Sequence, residues 1–520
     1  MKLKMWCIAL LLFPVIASAC VDSKTGNYCV QGKDITQASW EHELNLTRAY
    51  NSKSAEIGWF GYGWGTSFET RLQVMPNGSA IVIYPDTGRV ERFDSEDKAD
   101  VQKVVDKIVG VVMQKKEVAP DALSAFRSQL ILDEEFRRAK VIQYGLLAQL
   151  PIGEKLHSNQ CAKAIVERIN DEYRHVTCGK ETDYFDMAGR LIRHEEDGYT
   201  LFIHYSGERP DTIEDSLGQK LMLKWTATGH IAEAKISNDA PAINYRYDDK
   251  DNLVFASDAG GNDASYEYDI KHKMTATSYP DKTRRTMQYD ESGRITALTE
   301  ADGELMSYSY RADPKYPSLH HWTVLTKTGE GVKPIMSEAE YLKTLNADGI
   351  ERLSRVIKTG EQGLEEFVLD DKERIKEILN SNGTYSAFTY HSTLGKVTSV
   401  LTNEGRTDFN YDAAGNVVGA SNDNGQRLKL AYDNHNRIVR LVENNKAKHI
   451  RRDLTFKYNV HNKPIKISMK GKGTINVEYD PHGEITQVYS KQGASIAIEV
   501  SRAFSELLAL VKVAGANYCL

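Results

Sequence analysis

The sequence predicts a mainly β chain: β-hairpins stacked in register into a coiled sheet or partial shell, with a helical insertion after an N-terminal β module. Three observations lead there. First, the aromatic anchors Tyr390, Tyr411 and Tyr432 stand 21 residues apart, the first two followed by a glycine turn (Gly395, Gly415) and a β-branched residue two places on (Val397, Val417). Second, this period continues through Tyr184, Tyr205, Trp225, Tyr247, Tyr268, Tyr289, Tyr310, Leu369, Tyr458 and Tyr479, a register that marks a repeat architecture. Third, runs such as Thr407-Asp408-Phe409-Asn410-Tyr411 alternate like half-buried strands. Asn424-Gly425, Asn382-Gly383 and Asp302-Gly303 supply the positive φ of tight hairpins. One hairpin cannot bury its apolar face alone; a stack can.

Residues 1–19 read as an export signal: Lys2 and Lys4, an apolar stretch from Ile8 to Ile16, and a small-residue cleavage site at Ala17-Ser18-Ala19. The stretch is too short to span a bilayer, and no later apolar run reaches the roughly 18 residues a spanning helix needs. The chain is therefore expected to be exported: periplasmic, an outer-membrane lipoprotein, or secreted. Cys20 leaves two alternatives open. Its context resembles a bacterial lipobox, which makes it a candidate lipidation site and the one expected membrane attachment; the other reading is a disulfide with Cys29. Of six cysteines Cys7 leaves with the signal, and lipidating Cys20 would leave an even set for an oxidising compartment.

The net charge of −6 argues against a nucleic-acid partner. Tyr at 27 and Gly at 37 against Pro at 13 suit a turn-rich β protein.

Residues 20–96 form the N-terminal β module. Ala80-Ile81-Val82-Ile83-Tyr84, the turn Pro85-Asp86-Thr87-Gly88, and Arg89-Val90-Glu91-Arg92-Phe93 read as a hairpin. Asp86-Thr87-Gly88 matches the aspartic-protease signature, but that chemistry needs two carboxylates sharing a proton and no second copy occurs, so the turn reading is preferred. Trp59, Phe60, Tyr62, Trp64 and Phe68 are expected to cap the first repeats.

Residues 97–175 are read as a helical insertion. Val101, Val104, Val105, Ile108, Val111 and Val112 fall at helical spacing, residues 121–149 continue the pattern, and a third helix is expected at 158–170. Cys161 and Cys178 flank its exit as a candidate disulfide. The amphipathic face is expected to pack on its own protein.

Repeats fill 176–313 and 365–490. Between them, 314–364 is read as a surface insertion with a short helical stretch near Ser337 to Leu345. Its His320-His321 pair would point to opposite faces of a strand and makes a poor metal site. Residues 491–520 are a C-terminal tail.

Tyr411-Asp412-Ala413-Ala414-Gly415-Asn416-Val417, Tyr289-Asp290-Glu291-Ser292-Gly293-Arg294-Ile295 and Tyr479-Asp480-Pro481-His482-Gly483-Glu484-Ile485 resemble the YD repeat of the Rhs family, found also in bacterial toxin-complex shells and teneurins. Leu46-Thr47-Arg48-Ala49-Tyr50-Asn51-Ser52 and Gly61-Tyr62-Gly63-Trp64 resemble the block that opens Rhs proteins, which is β-rich in the family. The helical insertion departs from the usual layout, and the short stretch after Tyr479 is expected to hold no toxin domain. A ribbon of such hairpins, about 125 Å long at roughly 4.8 Å per strand, would close into a ring too narrow to hold a folded toxin.

The resemblance implies a non-enzymatic, exported scaffold or binding protein at the bacterial cell envelope that binds a glycan or an unidentified protein or is part of a polymorphic toxin system. The alternative is a secreted effector with toxic enzymatic activity in one of the insertions. No HExxH, paired CxxC, GxSxG or phosphate-cradling loop is present, so no catalytic, cofactor-binding or metal-ligating residue is assigned and no cofactor is expected.

Overall fold

The computed structural model describes residues 19–495 except 40–41, 95–100, 159–162, 179–180, 197, 237–240, 258–262, 330–331, 346–350, 446–448, 481–484 and 494. All but the last residue of the expected export signal, and nearly all of the C-terminal tail, therefore lie outside the described residues. No helix among the described residues is long and apolar enough to cross a membrane, which says nothing of strands.

From Arg71–Val74 to Ile485–Tyr489, strands pair antiparallel with their neighbours in sequence into one sheet of 34 strands among the described residues. This is the hairpin array that the 21-residue period predicts. The sheet curls, so that its first strand returns to a later one: Arg71 bridges Arg190, and the Leu72 N–H donates to the Gly189 carbonyl at 2.9 Å. The two ends of the sheet do not meet. Ahead of it, Ala19–Asp22, Asn27–Ser39, His42–Asn51 and Trp64–Gly65 form a separate four-stranded sheet.

The hairpin of Ala80–Tyr84 and Arg89–Asp94 forms as expected, with Ile83 opposite Val90, and Asp86-Thr87-Gly88 is its turn. The chain then leaves the sheet for three helices, Val101–Lys115, Leu123–Leu132 and Glu134–Gln143. Asp133 caps the third, accepting from the Phe136 N–H at 2.9 Å. Their apolar face (Val104, Val105, Ile108, Val112, Leu130, Val141) packs on Ile81 and Ile83 of the hairpin. The amphipathic stripe thus covers the chain's own sheet.

Two helices expected from the sequence are strands. At 158–170 the chain forms Lys155–Ser158 and Ile165–Ile169, which pair with each other, and Lys155–Ser158 joins Arg89–Asp94 on its other edge. At Ser337 to Leu345 the helix-favouring run Glu338-Ala339-Glu340-Tyr341-Leu342-Lys343 lies in the strand Val332–Leu345, with Ala339 between Thr323 and Lys358. Pairing on both edges outweighs the weak local propensity. Residues 314–364 are consequently no surface elaboration: His320–Gly329, Val332–Leu345 and Glu351–Gly360 carry the sheet through without a break.

Two cores result. One joins the N-terminal module (Tyr28, Val30, Leu44, Leu46, Tyr50, Phe60, Trp64) to the sheet as far as Tyr308. The second gathers Tyr341 to Ile475. Both draw on a row that lies two residues before each anchor: Ile203, Leu223, Tyr245, Tyr266, Met287 and Tyr308, then Phe367, Phe388, Phe409, Leu430, Phe456 and Val477, all buried.

Candidate functional site along the tyrosine ladder

Apart from Tyr310, which pairs with Thr323 in unbroken register, the anchors stand at or next to the end of a strand, and after a short turn a residue of the next strand pairs with each across a register shift. Tyr247 pairs with Leu253, Tyr268 with Met274, and Tyr289 with Ile295. That partner's carbonyl accepts from the next anchor. Tyr268 donates to Leu253, Tyr289 to Met274 (both 2.9 Å) and Tyr310 to Ile295 (2.7 Å). The chain of bonds includes Tyr205 to Leu191, Trp225 through its indole N–H to Pro210, and Tyr247 to Ile231. In the second core Tyr390, Tyr411, Tyr432, Tyr458 and Tyr479 donate to Ile375, Val397, Val417, Ile438 and Pro464. Burial pushes up the phenols of Tyr205, Tyr247, Tyr268, Tyr289 and Tyr310, and those of Tyr411 and Tyr432 to about 12, so these remain neutral donors.

The rest of the motif builds the turn and ties it to the next rung. One oxygen of Asp290 accepts from the Arg294 N–H at 2.9 Å, and the other accepts from the Arg294 guanidinium at 2.7 Å. The guanidinium then lies 4.5 Å from the ring centre of Tyr310. Asp370, Arg374 and Tyr390 repeat the arrangement, as do Asp433, Arg437 and Tyr458. Burial works against the charge of Asp290, Asp370 and Asp433, yet the backbone and guanidinium donors hold all three carboxyls below the usual range. The turn needs one left-handed residue. Gly293 and Gly415 supply it at some turns, while Asp251, His272, Glu373, Asn436 and Asn462 adopt positive φ at others.

Tyr184 is not a rung. It pairs with Arg193, whose guanidinium covers its ring at 3.6 Å, while Phe185 follows the register shift and pairs with Leu191. Phe185-Asp186-Met187-Ala188-Gly189-Arg190-Leu191 is the first copy of the motif, and Phe in place of Tyr hid it. Leu369 occupies a rung by pairing with Ile375, but it has no hydroxyl to give.

The aromatic cluster goes beyond a cap: it plugs the curl. Trp59 packs edge-on to Trp225, Phe60 to Tyr245 and Trp64 to Tyr266, and the Trp64 indole donates to the Tyr268 hydroxyl at 2.9 Å. The module also supplies partners for successive rungs. The Trp59 carbonyl accepts from Ile231 N–H and the Gly26 carbonyl from Ile295 N–H (both 2.9 Å), while the Tyr50 hydroxyl accepts from Met274 N–H at 2.9 Å. At the centre, Asp34 accepts from Arg48 and Tyr245, both at 2.7 Å, and Arg48 donates to Tyr266 at 2.8 Å. Burial opposes the Arg48 charge, but Asp34 and the two phenols hold it protonated.

Cys20 and Cys29 face each other on the paired strands Ala19–Asp22 and Asn27–Ser39 and are joined by a disulfide. Cys178 is disulfide-bonded; Cys161 lies outside the described residues. His320 contacts Glu340 at 2.6 Å and His321 stacks on Tyr341, so the two imidazoles do not converge. Among the described residues no group of three or more His, Cys, Asp or Glu is arranged to hold a metal ion.

Comparison with known proteins follows this geometry. Residues 170–331 and 336–498 match the Teneurin YD-shell family, and residues 19–93 match a domain of unknown function, DUF6531. No curated protein matches. Among solved structures, the crystal structure of TcdB2-TccC3-Cdc42 is similar at 10% identity with a TM-score of 0.38, over 91% of this chain and 26% of that one. The Photorhabdus luminescens Tc holotoxin pore with a TccC3 mutation is similar at 11% identity and a TM-score of 0.35, over 90% of this chain and 26% of that one. The chain thus spans about a quarter of the length of these structures. With the family match covering well over half of the sequence and the ladder explaining why its motif has the form it has, the chain belongs to the Teneurin YD-shell family, as an Rhs-type YD-repeat protein.

Proposed function

We propose that this protein is an exported, non-enzymatic scaffold that holds a protein or glycan partner at the bacterial cell envelope, as a component of a polymorphic toxin system. The observation that carries the reading is the fate of the motif's polar groups. From Tyr205 onward every aromatic anchor gives its one donor to a backbone carbonyl, and the motif aspartates and arginines close turns and cover the next ring. Groups bound this way serve the fold, and a partner is then read by other side chains on the surface.

The test is to express the chain with and without its export signal in a bacterial host and to cross-link it in envelope fractions. The expected outcome is normal growth in both forms and a discrete cross-linked species in the exported one. Growth arrest that disappears when residues 101–143 are deleted would instead establish the toxic-effector reading.

A further inference from the structure

The inward row two residues before each rung has one exception. Where later rungs carry an apolar or aromatic residue, the first rung, Phe185, has Asp183, only 5% exposed. Its cross-strand neighbours are both histidines: His175 on Glu172–Val176 and His194 on Leu191–Glu196. One Asp183 oxygen lies 3.1 Å from His175 Nδ1 and the other 2.7 Å from His194 Nδ1. His175 is fully buried beneath the Phe93 ring, 5.2 Å away. Its second nitrogen, Nε2, has no hydrogen-bond partner, yet it lies 3.8 Å from Glu91 Oε2.

Glu91 belongs to Arg89–Asp94, the strand through which the N-terminal hairpin enters the sheet. That strand meets Lys155–Ser158 through only two residue pairs, His157 with Asp94 and Ser158 with Phe93. Its five-pair ladder with Ala80–Tyr84 holds it within the hairpin, but among the described residues few backbone bonds join it to the strands that follow, so the side-chain contact between Glu91 and His175 matters. The other charged or titratable groups around the cluster are Arg89, 3.5 Å from Glu91; Tyr84 on the neighbouring strand, whose hydroxyl is also 3.5 Å from Glu91; Glu181 just before Thr182–Asp186; and Glu196. Opposite His175 on Ile165–Ile169 stands the uncharged Val166.

We infer that His175 is a proton-operated latch fastening Arg89–Asp94 to the first turn of the coil: its cation donates to Asp183 from Nδ1 and faces Glu91 from Nε2 as an ion pair at 3.8 Å, and its neutral form loses that ion pair. A neutral imidazole carries a single N–H, and histidine is the side chain whose charge changes between about pH 5 and 8. The neighbours agree in sign. Burial opposes the charge on Asp183, but both imidazoles hold its carboxyl below the usual range, so its contribution is present above about pH 3.9 and is lost as pH falls through that lowered value. Burial likewise opposes the charge on His194, but Asp183 raises its titration above the ordinary value, so its contribution is present below about pH 6.5 and is lost as pH rises through the raised value. The latch is tightest in mild acid and loosens above neutrality.

Amide hydrogen exchange of the folded chain, corrected for intrinsic rates, tests this between pH 5.5 and 8.5. Residues 89–94, 172–176 and 182–186 are expected to be about tenfold better protected at the lower pH, the equivalent of one buried charge-assisted bond. The distant strands 405–411 and 426–432 are expected to stay constant. His175→Gln keeps a pH-independent donor and should abolish the difference at residues 89–94, while His194 still contributes at residues 182–186. Because that variant is buried, ¹⁵N imidazole spectra of the unaltered chain give a second readout: the latch requires a His175 cation at the lower pH and a neutral imidazole at the higher. A His175 in one protonation state throughout, a pH effect of equal size in the distant strands, or one that survives at residues 89–94 in His175→Gln would overturn the latch.

Discussion

Gly189 lies so close to Leu72 that a β-carbon on it would fall inside the contact radius of the Leu72 carbonyl oxygen, and its φ of +82° is one that side chains avoid. This is the point where the first strand returns to the sheet, since Leu72 also donates its N–H to the Gly189 carbonyl. Gly189→Ala therefore meets a backbone clash as well as a conformational penalty and should cost about 3 kcal/mol. Gly198 has the same conformation (φ +85°) with nothing within 4 Å of its virtual β-carbon, so Gly198→Ala should cost about 1 kcal/mol. Urea unfolding of the two variants compares them directly. Equal losses would mean that the strand is not held to Gly189.

Tyr289→Phe removes a donor and leaves the Met274 carbonyl without its partner, at a cost of about 1–2 kcal/mol. Tyr184→Phe leaves the ladder intact, because Tyr184 stands off it and gives its hydroxyl to the Glu195 carboxylate at 3.3 Å, and should cost less than about 1 kcal/mol. Chemical denaturation of the pair would separate a rung from a tyrosine off the ladder. A loss at Tyr184 matching that at Tyr289 would return Tyr184 to the ladder.

Much of this architecture was legible in the sequence because the period was. Twenty-one residues is one two-strand unit, and the Tyr-Asp-x-x-Gly-Arg motif reads directly as rung, turn and brace. The readings that failed did so for physical reasons. Phe185 is hidden from a tyrosine period because it carries no hydroxyl, although the Asp186 and Gly189-Arg190 that follow it mark the rung. Ser337 to Leu345 looked helical because its local propensity is helical, and nothing local records a strand waiting on either side. The plug was undervalued since a row of aromatics says that something is covered without saying from which side. Asp183 was invisible as a site: only the pairing of three strands brings His175, Asp183 and His194 into line, and only the curl of the sheet brings Glu91 to them.

Asp34 and Arg48 are both about 5% exposed, and Asp34 is the sole carboxylate paired with that guanidinium among the described ion pairs. Asp34→Ala would strand a buried cation and should cost about 3–5 kcal/mol. Tyr245→Phe takes one donor from Asp34 but leaves the ion pair, so about 1–2 kcal/mol is expected. A double-mutant cycle on the two should show strong coupling, since both act on the same carboxylate. Additive losses would place the phenol and the guanidinium in separate interactions.

Glu69 gives a pH signature to the docking of the plug. Its two oxygens accept from Trp59 N–H at 2.8 Å and Thr66 N–H at 3.1 Å, pinning the aromatic loop to the short helix Ser67–Glu69. Burial pushes its carboxyl up to about 8, outweighing those two donors and nearby Arg71. The folded value lies above the unfolded one of about 4.3, so the group's contribution is fully present below about pH 4.3 and is lost as pH rises through about 8. Glu69→Gln does not titrate, but its amide nitrogen cannot accept, so one of the two bonds is lost at about 1 kcal/mol near pH 6. The stability gap between the unaltered chain and Glu69→Gln should therefore narrow from pH 6 to pH 9 in urea unfolding, because only the unaltered chain loses stability over that interval. A gap that stays constant or widens would mean that Glu69 is already ionised at pH 6 and that its two N–H donors outweigh its burial.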